Sequence, residues 1–117
     1  MNELVAAAAN SLRGLSLGIR SERALRQEVA ALIAAIVVAP FVAPSGAWFV
    51  AMIGAILLVM SFELLNTAIE KLADHVTPHN HPAIGAIKDI SSAAVFCALM
   101  FAGLIWFTAI AFRFGIL

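Results

Sequence analysis

Glu63, Asn66, Thr67, Glu70 and Asp74 recur at helical spacing within an otherwise apolar stretch. At ~100° per residue they fall within about 100° of one another on a helix. Glu63 and Glu70 then share a face, ~10.5 Å apart along the axis. A stripe of three carboxylates, an amide and a hydroxyl can accept a proton or bind a divalent cation through oxygen. Glu22, upstream, could join Glu70 around such a cation. The bland alternative is a polar face that hydrates the end of a helix at a membrane surface. That alternative serves Asp74 and Lys71 as well as a functional role does. It serves Glu63 poorly, because Leu64, Leu65, Ala68 and Ile69 continue the apolar pattern beyond it. An ionisable group inside a membrane helix costs about 2.5–3.5 kcal/mol and is rarely idle.

A second polar group follows. Lys88 and Asp89, with Ser91 and Ser92, open an apolar run. They are either helix-capping residues or a phosphate-binding corner, in which a lysine stands beside helix N-terminal amides. His75, His79 and His81 crowd a proline-bounded loop, Thr77-Pro78-His79-Asn80-His81-Pro82. Zinc is one use of that cluster, but with no cysteine beside it a solvated loop is the preferred reading. Trp48 and Trp106 suit interfacial belts or packing between spans. The single cysteine, Cys97, reads as a buried small hydrophobe and excludes a disulfide framework. No phosphate-binding glycine loop, dinucleotide turn, nucleophile elbow or protein-kinase motif set is present.

The elements that must position these residues follow from composition. Of 117 residues, 63% are hydrophobic and 12% charged, with a mean hydropathy of +1.03. That is too apolar for a soluble surface and too apolar for disorder. Seven basic side chains balance seven acidic ones, so charge gives no reason to expect a nucleic-acid partner. The 34 residues between Glu28 and Glu63, and the 23 between Asp89 and Arg113, carry no Asp, Glu, Lys or Arg. Each exceeds the roughly 18 apolar residues that mark a spanning helix. The longer run would extend ~51 Å as one helix, against a hydrocarbon core of ~30 Å. Pro40 and the stretch Ala43-Pro44-Ser45-Gly46 supply the break.

The chain therefore reads as a single all-α membrane domain. Spans are expected at 26–42, 47–73 and 90–112, with a loop at 74–88. Leu4, Ala8, Leu12, Leu15 and Ile19 recur at helical spacing, so residues 1–25 suit an amphipathic helix lying in the membrane surface. Arg13, Arg20, Arg23 and Arg26 precede the first span, and Lys71 and Lys88 flank the loop. Only Arg113 lies on the other side. The excess of basic residues places the N-terminus and the 74–88 loop in the cytoplasm.

Three blocks together point to a family: Glu63-Leu64-Leu65-Asn66-Thr67-Ala68-Ile69-Glu70 with Asp74, Ile87-Lys88-Asp89-Ile90-Ser91-Ser92, and Glu22-Arg23-Ala24-Leu25-Arg26-Gln27-Glu28. With this length and three spans, the sequence resembles the small integral-membrane diacylglycerol kinases of bacteria, from about Ser11 to the C-terminus. The resemblance implies a homotrimer in the bacterial inner membrane that transfers the γ-phosphate of MgATP to the hydroxyl of diacylglycerol, giving phosphatidic acid. By position it implies Glu63 as general base, Glu22 and Glu70 as Mg²⁺ carboxylates, and Asn66 and Asp74 as polar support. It places Asn10, Glu22, Glu70, His79, Asn80, His81, Lys88 and Asp89 around the nucleotide. It places Arg26, Gln27, Glu28, Glu63, Ser92 and Trp106 around the lipid. The familiar surface helix has aromatic residues where Asn10 and Leu12 stand here and a basic residue at Glu3, and the family's loop has an acidic residue at His79. A kinase for undecaprenol, from the same superfamily, is the nearest rival. A channel or scaffold using an intramembrane glutamate is the non-enzymatic one.

Overall fold

The computed structural model describes residues 2–117, which form four helices and no strand among those residues. Helix α1 spans Asn2–Ser21, α2 Arg23–Val42, α3 Gly46–Val76 and α4 Pro82–Arg113. Helices α2, α3 and α4 are each long and apolar enough to cross a membrane, with mean hydropathies of 1.8, 2.2 and 2.3. At ~1.5 Å per residue the 31 residues of α3 extend ~46 Å, so α3 continues beyond a hydrocarbon core of ~30 Å.

Local chemistry fixes the ends. The Ser45 hydroxyl accepts a hydrogen bond from the Trp48 N–H, at 3.3 Å, and starts α3. The His81 Nδ1 accepts from the Ala83 N–H, at 3.1 Å, and Pro82 occupies the first turn of α4. At the far end of α4, the Ile116 N–H donates to the Ala111 carbonyl and the Gly115 N–H to that of Phe112. Gly115 stands there at φ +74, as a left-handed helix terminus requires. Pro40 does not break α2 outright. It sits inside the last turn, and the helix stops at Val42, two residues before Pro44.

The structure departs from the expected boundaries in one region. Most of the 74–88 stretch is helical, and only residues 77–81 lie between α3 and α4. Both helices overrun the apolar core, and Pro78 and Pro82 confine the turn between them. The first span begins at Arg23 because a single residue, Glu22, separates it from α1.

Helix α3 is central and packs along both α2 and α4, which barely meet each other. Ala39, Met52 and Ala109 are fully buried, with Trp48, Phe49, Ile105 and Trp106 around them. Alanines at 35, 55, 98 and 111 are buried as well, and they let the helix backbones approach closely, as is usual in membranes. The Trp106 Nε1–H donates to the Met52 carbonyl at 3.0 Å and ties α4 to α3. Outward faces remain apolar: Ile33, Val37, Phe41, Leu65, Phe96 and Phe107 are all exposed within the chain. A surface of this kind belongs against lipid or other apolar partners.

Helix α1 docks through its C-terminal half. Leu15, Ser16 and Ile19 are half-buried and Gly18 is buried, whereas Leu4 and Leu12 remain exposed. A Cβ at Gly18 would lie 2.7 Å from Leu25 Cδ2 and 2.8 Å from Leu64 Cδ2. Gly14, by contrast, has nothing within 4 Å of that position. Gly18→Val is therefore expected to cost about 1–3 kcal/mol by overpacking and to lift α1 from α3. Faster amide exchange along 15–21, with Gly14→Ala near wild type, checks this.

Candidate functional site

The polar stripe of α3 turns inward. Glu63 is 8% exposed, Asn66 8% and Thr67 6%. Further along, Glu70 is half-buried and Asp74 exposed. The stripe thus grades from an enclosed carboxyl to a solvated one in three turns of helix. The Asn66 Nδ2–H donates to the Glu70 Oε1 at 2.7 Å and orients that carboxylate.

Other helices bring further carboxylates to Glu63. The charges of Glu22, at the α1–α2 junction, and of Glu70 both act on it, and its own charge acts on Glu28 of α2. Four glutamates from three segments of chain thus form one electrostatic cluster, with 40 residues lying between Glu22 and Glu63. None of them has a lysine or arginine within ion-pair distance, since the one ion pair among the described residues is Lys88–Asp74. Among the described residues three buried side-chain polar atoms lack a hydrogen-bond partner: Glu28 Oε1, Asn66 Oδ1 and Thr67 Oγ1. Carboxylates gathered without a cation, beside unfilled acceptors, make a donor set suited to a hard divalent ion.

Among the described residues no three His, Cys, Asp or Glu side chains converge at ligand distance. Mg²⁺ does not need three, because it is commonly held by one or two carboxylates together with phosphate oxygens and water. Glu22 and Glu70 fit that requirement by chemistry.

A pocket of about 430 Å³ lies at the end of the α3–α4 pair, lined by Asp74, His79, Asn80, His81, Ile84 and Lys88 among others. The Lys88 ammonium reaches Asp74 Oδ1 at 2.6 Å, with both side chains partly exposed. In such a site the pair contributes little stability and keeps the ammonium at the pocket wall. His81 spends its Nδ1 on capping α4, which leaves only Nε2 for a ligand. His79 and Asn80 are exposed in the turn, and Asp89 is exposed outside the pocket lining.

On the apolar side, Trp106 lines a groove of about 490 Å³ with Ala31, Ala35, Val38, Ile56 and Leu99. Glu28 lies one turn below Ala31 on the same helix and Gln27 is exposed. The Arg26 guanidinium faces α1: its Nη1 donates to the carbonyls of Ile19, at 2.9 Å, and Arg20, at 3.0 Å. Asn10 is exposed on α1 and accepts a hydrogen bond from Arg13.

Sequence reasoning missed two features here. It singled out Ser92, which is exposed, whereas Ser91 is the serine buried against the bundle. The spacing of Ser91, Val95 and Ala98, all buried, carries that signal. Cys97 is exposed on the outer face of α4 and not buried as expected, because the apolar run around it faces outward as well as inward.

Arranged this way, the chain offers an enclosed carboxyl with further carboxylates near it, a lysine beside a polar pocket and an apolar groove. The arrangement suits phosphoryl transfer, which depends on positioning and charge neutralisation more than on covalent chemistry. Comparison with known proteins agrees. The family model described as prokaryotic diacylglycerol kinase matches residues 9–110. The diacylglycerol kinase of Escherichia coli (strain K12) is 35% identical over 112 residues, covering 96% of this chain and 92% of the relative. That of Haemophilus influenzae is 34% identical over 106 residues, covering 91% and 90%. A third, from Pseudomonas aeruginosa, is 36% identical over 108 residues, covering 92% and 88%. On the whole of the site and on these matches, the chain belongs to the prokaryotic diacylglycerol kinase family, enzymes built into the membrane.

Proposed function

We propose that the protein transfers the γ-phosphate of MgATP to the hydroxyl of 1,2-diacylglycerol, giving phosphatidic acid and ADP. The observation that carries this reading is Glu63, a carboxyl enclosed within a membrane span with no cationic partner and with Glu22, Glu28 and Glu70 around it.

Glu63 is the general base. Its carboxylate takes the proton of the lipid hydroxyl as that oxygen attacks the γ-phosphorus and the bond to the ADP oxygen breaks. Glu22 and Glu70 would hold Mg²⁺, with Asn66 fixing the Glu70 carboxylate. When bound there, the ion would supply neutralisation of phosphate charge. Lys88 supports the transferring phosphoryl group by charge, with Asp74 holding it at the pocket wall. His79, Asn80, His81 and Asp89 stand where the nucleotide enters. The groove of Ala31, Ala35, Val38, Leu99 and Trp106 takes acyl chain, with Glu28 one helical turn before Ala31 on α2.

The working unit is a homotrimer, which would cover some of the apolar outer faces and complete the walls of each site. The N-terminus and the 77–81 turn face the cytoplasm of a bacterial inner membrane, in keeping with the basic residues on that side. There ATP reaches Lys88 and Glu70 from water while the lipid reaches Glu63 from the bilayer.

Phosphate transfer from labelled MgATP, measured in mixed micelles offered diacylglycerol or undecaprenol, tests the reading. Phosphatidic acid made by the native protein supports it. Preference for undecaprenol keeps the mechanism and changes the lipid. No transfer to either lipid by folded protein overturns it. Glu63→Gln is expected to retain folding and MgATP binding and to lose about 10²–10⁴-fold in turnover. Normal turnover would remove Glu63 as the base. Glu70→Gln should weaken Mg²⁺-dependent nucleotide binding, and an unchanged metal dependence would exclude it as a ligand. Thr67→Val, which deletes a buried hydroxyl with no partner, should be neutral or stabilising by up to about 1 kcal/mol in a thermal melt.

A further inference from the structure

Glu22 occupies an unusual place. It is the single non-helical residue between α1 and α2, with extended backbone angles of φ −122 and ψ 119. Its side chain makes no capping hydrogen bond. An elbow of one residue can swing through a change in two dihedrals, and every swing moves the Glu22 carboxylate relative to Glu63 and Glu70 on α3.

Arg26 closes that elbow from both sides. Its backbone N–H donates to the Glu22 carbonyl at 3.2 Å. Its guanidinium donates to the carbonyls of Ile19 and Arg20, at 2.9 and 3.0 Å, in the last turn of α1. Those carbonyls belong to the group that every helix leaves unpaired at its C-terminus. A cationic donor satisfies them, and it also sits favourably against the negative end of the helix dipole. The Glu22 N–H is held in turn by the Gly18 carbonyl at 2.9 Å. Residues 18, 19, 20, 22 and 26 thus form a closed set of hydrogen bonds around one carboxylate-bearing hinge. Besides these bonds, the close packing of Gly18 against Leu25 and Leu64 is the main contact that fixes the angle of α1 to the bundle.

We propose that Arg26 is a positioning residue: it clamps the α1–α2 elbow and so holds the Glu22 carboxylate beside Glu70 for the divalent cation. This rests on the reading of Glu22 and Glu70 as the metal carboxylates. It assigns Arg26 to the metal side of the site and not to the lipid. The guanidinium is turned to backbone carbonyls of α1, and Arg26 is absent from the lining of the apolar groove.

The test is Mn²⁺ binding, followed by electron paramagnetic resonance in micelles with a non-hydrolysable ATP analogue, together with the KM for diacylglycerol. Arg26→Gln should weaken Mn²⁺ binding by roughly tenfold, the lower end of the effect of supporting residues on metal affinity. The KM for diacylglycerol should stay at the wild-type value. The double variant Glu22→Gln, Arg26→Gln should bind Mn²⁺ no more weakly than Glu22→Gln alone, since Arg26 acts through Glu22. Arg26→Lys should fall between wild type and Arg26→Gln, because one ammonium reproduces the planar fork incompletely. A raised KM with unchanged Mn²⁺ affinity overturns the proposal and returns Arg26 to the lipid. If Glu22→Gln itself leaves Mn²⁺ binding unchanged, the metal reading fails and the clamp falls with it. If Glu22→Gln weakens binding and folded Arg26→Gln does not, only the clamp fails. Where Arg26→Gln does not fold, Arg26→Lys decides: reduced Mn²⁺ affinity supports the clamp and wild-type affinity overturns it.

Discussion

A carboxyl enclosed in a membrane span is the constraint on which the rest of the structure depends. Glu63 carries a cost of about 2.5–3.5 kcal/mol at the centre of a bilayer, less toward the interface. The chain limits that cost by placing Glu63 on the stripe that leads through Asn66 and Glu70 to solvated Asp74. It also turns that stripe toward the α1–α2 junction and not toward lipid. The outward faces of α2, α3 and α4 can then remain largely apolar. Helix α1, which is not among the spanning helices, lies against the polar stripe at Thr67 and Lys71. A groove of about 420 Å³ between α1 and α3 is what its loose docking leaves.

Much of the fold was legible because membranes impose coarse rules. Charge-free runs longer than a bilayer is thick had to contain helices, and Pro44-Ser45-Gly46 had to separate the first pair of them. The spans are where those runs lie. The ends were less legible, since helix propensity does not stop at the membrane surface: α3 continues to Val76 and α4 begins at Pro82. Rotational detail depended on which face met the bundle. Ser91, Val95 and Ala98 follow the helical repeat and are buried together, and Ser92 next to them points out. For Cys97 the apolar surroundings were uninformative, because in a membrane both the inside and the outside of a helix are apolar.

The site was legible along one helix and illegible across helices. Spacing alone placed Glu63, Asn66, Thr67 and Glu70 on one face. That Glu22 and Glu28 come to the same place is a matter of tertiary packing over 41 and 35 residues of chain, and only the family resemblance could signal it. The hydrogen bonds of Arg26 to α1 had no sequence signal of their own, because they join a side chain to backbone carbonyls. Membership in a kinase family also decides against the ion-conducting alternative that a lone intramembrane glutamate would allow.

Helices α3 and α4 are joined by two polar links of unequal character. At one end the Trp106 indole holds the Met52 carbonyl in a largely apolar setting, and at the other Lys88 holds Asp74 in partial contact with water. Met52 and Asp74 are ~33 Å apart along α3. The first link loses a full hydrogen bond if it opens, with no water to replace it, whereas the second can trade partners at little cost. The turn of residues 77–81 also joins the two helices at the second end, so there the chain itself, and not the ion pair, limits how far they can part. An anion that draws Lys88 away from Asp74 would therefore release the ammonium without parting the helices, and the polar pocket can exchange one ionic partner for another on a fixed frame.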